Sequence, residues 1–276
     1  MTGNHQPLAL PRAPADVDDP TRPALPFSVN YPPDTLIASH SHFRGQLLYA
    51  TSGVMIVTTE QGTWVVPSQR AVWIPPGRVH SIECRGVVSM RTLYFQPGAA
   101  TLESNSCTVL QVSSLLRELL IRASLFSADY PQEGPEARLI AVILDLLSIT
   151  EVEALDVPAP SDPRLVKIAA ALAENPADRS TLEEWGRKVG ASSRTLARLF
   201  LKQTGMTFGD WRRQLRMTEA VVELSTGASI TAVAFDVGYE SPSAFIAAFR
   251  RSLGTTPGQF VANLVESHHR LAVMDA

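Results

Sequence analysis

Leu182-Glu-Glu-Trp-Gly-Arg-Lys-Val189-Gly190, then Ala-Ser-Ser-Arg-Thr-Leu196-Ala-Arg-Leu-Phe200 and a glycine at 205, is a pattern this chain carries twice. The second copy reads Ile230-Thr-Ala-Val-Ala234-Phe-Asp-Val237-Gly238, then Tyr-Glu-Ser-Pro-Ser-Ala-Phe245-Ile-Ala-Ala-Phe249 and Gly254. Val189 and Gly190 match Val237 and Gly238 at an offset of 48; Leu196, Phe200 and Gly205 match Phe245, Phe249 and Gly254 at 49. One extra residue in the second turn accounts for the change. A helix, a glycine turn and a second helix form a unit whose second helix can enter a DNA major groove.

In the first copy, Ser192 or Ser193 is a good N-cap for a helix running to about Gln203. Leu196, Leu199 and Phe200 share one face and must be buried. Arg194, Thr195, Ala197, Arg198 and Lys202 then face outward, a set able to pair with guanine edges and phosphates. The plain alternative is a helical repeat with no ligand. In the second copy Ser241 caps, Phe245 and Phe249 face the core, and Pro242, Ser243, Ala244, Ile246, Ala247 and Arg250 are outward. Alanine and isoleucine cannot make bidentate base contacts, although they can touch thymine methyls, and Arg250 with Arg251 suits phosphate. The first helix is therefore expected to read bases and the second to position the duplex and read its shape. Between the copies, Trp211, Leu215, Ala220 and Leu224 mark a long helix that sets the separation of the two heads. Consecutive grooves on one face of a duplex lie ~34 Å apart. Arg212, Arg213 and Arg216 on that helix can be surface charge or phosphate contacts, with a structural role at the turn equally open for Arg216.

Charge agrees with this division. The chain of 276 residues has a net charge of −3. From Ser161 onward there are 14 basic and 12 acidic residues, and before it 10 and 15. Within Leu182–Thr218 eight basic residues face three acidic ones. A local positive patch on an acidic chain suits a surface that meets phosphates, while ordinary solvated helix charge is the bland reading.

Upstream the texture changes. Residues 1–26 hold six prolines and few large apolar side chains, and are expected to be a disordered tail. Residues 27–110 are rich in short β-branched and aromatic runs, such as Val54–Thr59, Thr63–Val66 and Ala71–Ile74, split by turn signals that include Glu60-Gln61-Gly62. A small barrel or sandwich is expected. Residues 111–152 return to helical spacing, with Leu115, Leu116, Leu119 and Leu120, then Leu139, Ile140, Ile143, Leu144 and Leu147. Asp129–Pro135 breaks this stretch into a helical hairpin, which either dimerises or covers the edge of the β domain. Residues 153–163, with prolines at 158, 160 and 163, form the linker to a helical domain over 164–265. The fold class is thus α+β in two domains: an N-terminal β-barrel with a helical hairpin, and a C-terminal all-α tandem helix-turn-helix domain. Two cysteines, Cys84 and Cys107, make no disulfide framework, and no apolar leader opens the chain, so the cytoplasm is expected. Leu139–Ile149 is too short to span a bilayer, so no membrane is expected.

Leu182–Phe260 resembles the DNA-binding domain of the AraC/XylS family of bacterial transcription regulators. Ser193–Phe200, Arg216 with Ala220 and Leu224, Ile230…Ala234…Val237-Gly238-Tyr239, Ser243…Phe245…Phe249 and Gly254-Thr-Thr-Pro257…Phe260 carry the resemblance. It implies two helix-turn-helix modules on a linker helix, binding to double-stranded promoter DNA, and contact with RNA polymerase. Many such regulators control an adjacent transporter; a metabolic gene is the other expected target. The apolar face of the second reading helix departs from many relatives.

A second pattern lies in the β region. His40-Ser-His42, Gln46 and Pro75-Pro-Gly77-Arg-Val-His80 resemble the metal motif of the cupin fold, as found in the sensor halves of AraC-type regulators. Residues two apart on a strand point to one side. The resemblance implies His40, His42, Gln46 and His80 as ligands, with Gln46 where cupin enzymes have glutamate. Three imidazoles and one oxygen suit a divalent transition metal: Ni, Co, Zn, Fe or Mn. The same histidines can instead line a small organic effector's pocket, or simply pack. Trp64, Trp73, Tyr49, Arg91 and Tyr94 are further pocket candidates, with core packing the commoner role. The leading function is a homodimeric regulator responding to a metal or small effector. The other class is a cupin oxygenase or isomerase fused to a DNA-binding domain; Gln46 and the lack of a Ser/His/Asp or phosphate-loop motif argue against it.

Overall fold

The computed structural model describes residues 22–68, 70–100, 106–148 and 156–262. The chain divides into two compact units, one holding most of the residues before 155 and the other most of those after it.

Among the described residues, the first unit is built on nine strands. One sheet has the order β1 (Ala24–Tyr31), β8 (Val88–Phe95), β3 (Gly45–Ala50), β6 (Arg70–Ile74) and β9 (Thr108–Gln111). The other carries β5 (Gly62–Pro67), β4 (Val54–Thr59), β7 (His80–Arg85) and β2 (Leu36–His40) in that order. The expected barrel is thus a pair of sheets rather than a closed ring of strands. Alternation along β3 explains the layering. Leu48 faces Met55, Val57, Ile82 and Met90 in the core between the sheets. Leu47 and Tyr49 point the other way, toward Leu116, Leu120, Ile140, Ile143 and Leu147. Those five residues belong to α1 (Ser114–Ala123) and α2 (Pro135–Ser148), so the helical hairpin covers a whole sheet face, not an edge. Gly45 is required because a Cβ there would sit 2.3 Å from the Trp73 ring.

One boundary shifts. Ala24, Leu25 and Pro26, assigned to the proline-rich tail, pair with Phe95, Tyr94 and Leu93 as the start of β1 and are buried. Proline tolerates an edge strand, and β1 is an edge. Residues 1–21 of the expected tail, 149–152 at the end of the expected helical segment and 153–155 at the start of the linker lie outside the described residues.

Among the described residues, the second unit contains a short strand β10 (Asp156–Pro158) and six helices: α3 (Pro163–Glu174), α4 (Leu182–Val189), α5 (Ser193–Thr204), α6 (Phe208–Ser225), α7 (Ile230–Asp236) and α8 (Pro242–Leu253). Each of the last five starts on a serine or threonine cap whose hydroxyl accepts a backbone N–H: Thr181, Ser192, Thr207, Ser229 and Ser241. Thr181 and Glu184 complete a capping box. Gly190, Gly205 and Gly254 end α4, α5 and α8 with φ near +71°, the left-handed cap that glycine takes without strain. Leu165, Ile168, Trp185, Leu196, Phe200, Phe208 and Trp211 form one core, so α3 is part of the first module. Among the described residues, no helix is long and apolar enough to cross a membrane.

Two glycines in this unit give opposite expectations. A Cβ on Gly186 would lie 2.4 Å from the Ala191 carbonyl, because α4 and the turn meet backbone to side there. On Gly209 it would meet nothing closer than 3.9 Å. Gly186→Ala should lower stability by about 1–3 kcal/mol through overpacking. Gly209→Ala should raise it by up to ~1 kcal/mol from helix propensity. Denaturant midpoints of the two full-length variants check both signs.

Candidate functional site

The two modules expose what their sequences suggest. On α5, Leu196 and Phe200 are fully buried, while Arg194, Ala197, Arg198 and Lys202 are exposed and Thr195 is half-buried, its hydroxyl 2.9 Å from that of Ser192. Among the described residues, none of the three cations is tied to a carboxylate. On α8, Phe245 and Phe249 are buried; Ser243, Ala244, Ile246, Ala247 and Arg250 are exposed and Pro242 is half-buried. The difference between the outward faces is therefore real in three dimensions: two arginines and a lysine on one, small and apolar groups on the other until Arg250.

The long helix α6 uses its arginines on the protein itself. Arg216 donates to the carbonyls of Pro176 at 2.8 Å, Asp178 at 3.0 Å and Gly238 at 3.4 Å. The first two lie in the α3–α4 loop, the third in the second turn. One guanidinium thus joins the two modules. Gly238 has φ +83°, and a Cβ on it would lie 2.8 Å from both the Ala177 backbone and an Arg216 nitrogen. Arg212 donates to the Ser180 carbonyl at 3.0 Å, and Arg213 pairs with Asp210 at 2.9 Å. Of the readings open for Arg216, the geometry places it at the turn. The signal was present in the sequence only as an arginine opposite a glycine in a later helix pair.

In the first unit, His40 at the end of β2 stands in register with His80 at the start of β7. His42 lies in the β2–β3 loop. One ring nitrogen of each of His40, His42 and His80 lies within 4.8 Å of the others. Ring centroids are 4.3 Å apart for His40–His80, 5.1 Å for His42–His80 and 6.0 Å for His40–His42. Gln46 joins them, its Oε1 3.1 Å from His42 Nε2. All four residues of the motif are therefore brought together.

The hydrogen bonds around the cluster fix how each ring is turned. His40 Nδ1 faces the Ala38 carbonyl at 2.9 Å, His42 Nδ1 the Arg44 carbonyl at 2.5 Å and His80 Nδ1 the Arg78 carbonyl at 2.9 Å. A carbonyl only accepts, so Nδ1 carries the proton in each neutral ring and Nε2 presents a lone pair. Metal-bound imidazoles characteristically show this arrangement, the second nitrogen donating to a carbonyl or carboxylate. Among the described residues, His80 Nε2 is buried with no hydrogen-bond partner. Burial pushes the His80 pKa down to about 4; the Arg78 carbonyl opposes this, while His40 and His42 add to it. It is neutral at physiological pH, the form that ligates.

His42 exposes a mismatch. Its two nitrogens both face oxygen acceptors, the Arg44 carbonyl and the Gln46 amide oxygen. A neutral imidazole has one N–H, so one contact sets lone pair against lone pair unless the ring is protonated or a cation lies there. The donor set therefore fits a divalent transition metal. Trp64, Trp73, Tyr49 and Tyr94 are buried core residues. Trp64 packs between the sheets and Trp73 and Tyr49 against the helices. Arg91 is half-buried and donates to Asn30 at 3.3 Å.

Comparison with known proteins agrees with both units. Residues 185–263 match the model of a helix-turn-helix domain and residues 26–154 that of an AraC-like ligand binding domain. The HTH-type transcriptional regulator NimR of Escherichia coli is 35% identical over 242 residues, covering 87% of this chain and 88% of that protein. The HTH-type transcriptional regulator RipA of Corynebacterium glutamicum is 42% identical over 108 residues, 39% of this chain and 33% of that one. The arabinose operon regulatory protein of E. coli is 27% identical over 146 residues, about half of each chain. The chain belongs to the AraC-type family of helix-turn-helix transcriptional regulators. It is a DNA-binding regulator with a ligand-binding N-terminal domain, and its relatives are regulators rather than enzymes.

Arg216→Leu should lower stability by about 2 kcal/mol, since it leaves charge-assisted bonds to three carbonyls unmade. Promoter affinity should fall with it even though the exposed faces of α5 and α8 are untouched. Thermal melts and a DNA titration on the same preparation check this.

Proposed function

We propose that this regulator senses a divalent transition metal through His40, His42, Gln46 and His80. The observation that carries the reading is the convergence of four acceptors. Each imidazole turns Nδ1 to a backbone carbonyl, and the Gln46 oxygen is aimed at Nε2 of His42, whose neutral ring has one proton for two facing oxygens. When bound, the metal would supply the positive charge that this set of lone pairs lacks. Neutral ligands suit Ni, Co, Zn, Fe or Mn more than hard, oxygen-seeking ions. To act as a signal, the metal must bind two states of the regulator with different affinity.

Homodimerisation fits the same reading. Leu115, Leu125 and Val142 on the helical hairpin stay exposed after the sheet face is covered. On DNA, Arg194, Arg198 and Lys202 of α5 would read base edges and phosphates, with Thr195 and Ala197 flanking them. Pro242, Ser243, Ile246 and Arg250 of α8 would position the duplex, Ile246 against a thymine methyl and Arg250 on phosphate. RNA polymerase is the further partner expected of a promoter-bound regulator.

Purified protein should carry close to one transition metal per chain by elemental analysis, and His80→Ala should lose it while keeping its promoter affinity without metal. Metal-free protein that takes up none on titration with Zn, Ni or Co would sink the metal reading and leave the cluster to an organic effector. On DNA, Arg198→Ala should cost about 1–3 kcal/mol and relax preference at one or two base positions. Arg250→Ala should instead weaken all sequences alike and reduce the salt slope by ~1. Competition titrations at several salt concentrations separate the two, and an unchanged base preference in Arg198→Ala would reverse the assignment.

A further inference from the structure

A glutamine can serve as a fourth ligand only if its amide is turned the right way, because the NH2 end repels a cation as surely as the oxygen attracts it. We infer that Thr92 and Tyr94 are positioning residues that lock the Gln46 amide with its oxygen toward the three imidazoles, an inference that rests on the metal reading of that cluster.

Gln46 is buried on β3, in register with Tyr94 of β8, and Thr92 lies two residues along β8 on the same face. Gln46 Nε2 donates to Thr92 Oγ1 at 3.0 Å and to Tyr94 Oη at 3.2 Å. Hydroxyls both donate and accept, so contact alone would leave the amide's direction open. Thr92 closes that question. Its own proton goes to the Leu47 carbonyl at 2.9 Å, which makes Oγ1 an acceptor toward Gln46. The amide end facing Thr92 must then be NH2, and the opposite end, the oxygen, faces His42. Thr92 has no solvent exposure and is held in the central part of its strand, so the relay does not depend on a mobile side chain. Tyr94 accepts the second amide proton, and its ring stands edge-on to His42 with centroids 5.0 Å apart. The pair thus aligns one ligand by hydrogen bonds and braces another by packing.

A glutamate in this position would need no such relay, since its two oxygens are equivalent. An amide here needs its direction set, a threonine with a committed proton sets it, and the contrast with a carboxylate yields a rescue test. Full-length protein is titrated with Co(II) and Zn(II). Affinity is read by calorimetry and the donor set by the Co(II) absorption bands. T92V, which keeps shape and removes the hydroxyl, should lose 10–100-fold in affinity, as orienting partners of metal ligands do, and its Co(II) bands should shift. T92S should bind like the parent. Q46E placed in the T92V chain should restore affinity, because a carboxylate presents an oxygen either way round. Y94F should show a smaller loss and serves if T92V melts early.

A T92V protein that folds, binds Co(II) with the parental affinity and gives the parental spectrum would overturn the positioning role and leave the metal site intact. So would a loss in T92V that Q46E does not rescue. A parent chain that binds neither metal overturns the metal reading itself, and this inference with it.

Discussion

Burial of one sheet on both of its faces governs the sensing unit. A strand has only two sides, and β3 gives one to the core between the sheets and the other to the helical hairpin. Nothing in β3 is left for solvent, as its unbroken burial shows. That constraint fixes register, because a slip of one residue would exchange the two sets. It also places the chemistry. Gln46 is the first interior position of β3, so the register that packs Leu48 against the opposite sheet is the one that delivers an amide beneath His42. Glycine at 45 has the same origin: with both faces covered, the Trp73 ring comes too close for any Cβ.

In the second unit the corresponding constraint is the geometry of helix ends. Serine and threonine caps start α4 to α8 and left-handed glycines stop α4, α5 and α8, so these segment lengths are set locally and the outward faces of α5 and α8 follow from where each helix begins. Arg216 is a long-range fastening that holds the α3–α4 loop and the second turn at once, and the Arg179–Glu240 ion pair at 3.1 Å links the same two segments.

Local signals explain how much was legible in the sequence. Caps, glycine stops and apolar spacing act over a turn or two of chain, and they place α4 to α8 with the faces that the structure has. His40-Ser-His42 and the Pro-Gly turn before His80 are equally local, so the cluster could be recognised before its geometry was known. What stayed hidden depends on register. Thr92 lies 46 residues from Gln46, and only the pairing of β3 with β8 makes them neighbours. The start of β1 at Ala24 was hidden for a related reason: Pro23 and Pro26 look like tail, and only an edge position beside β8 accommodates them. The hairpin's stripe left two readings open because an apolar face does not name its partner; the sheet now accounts for its buried part.

The freedom of the α5 surface has a consequence for how such a regulator diverges. The side chains of Arg194, Ala197, Arg198 and Lys202 are exposed and, among the described residues, make no ion pair, whereas the second turn is pinned by Gly238 and Arg216. Mutational drift can therefore rewrite the exposed face of α5, the surface proposed to read bases, one residue at a time while the frame that presents it stays constant. A lineage descended from this chain could acquire new operators by changing a handful of codons in α5, with little change in how the rest of the molecule folds.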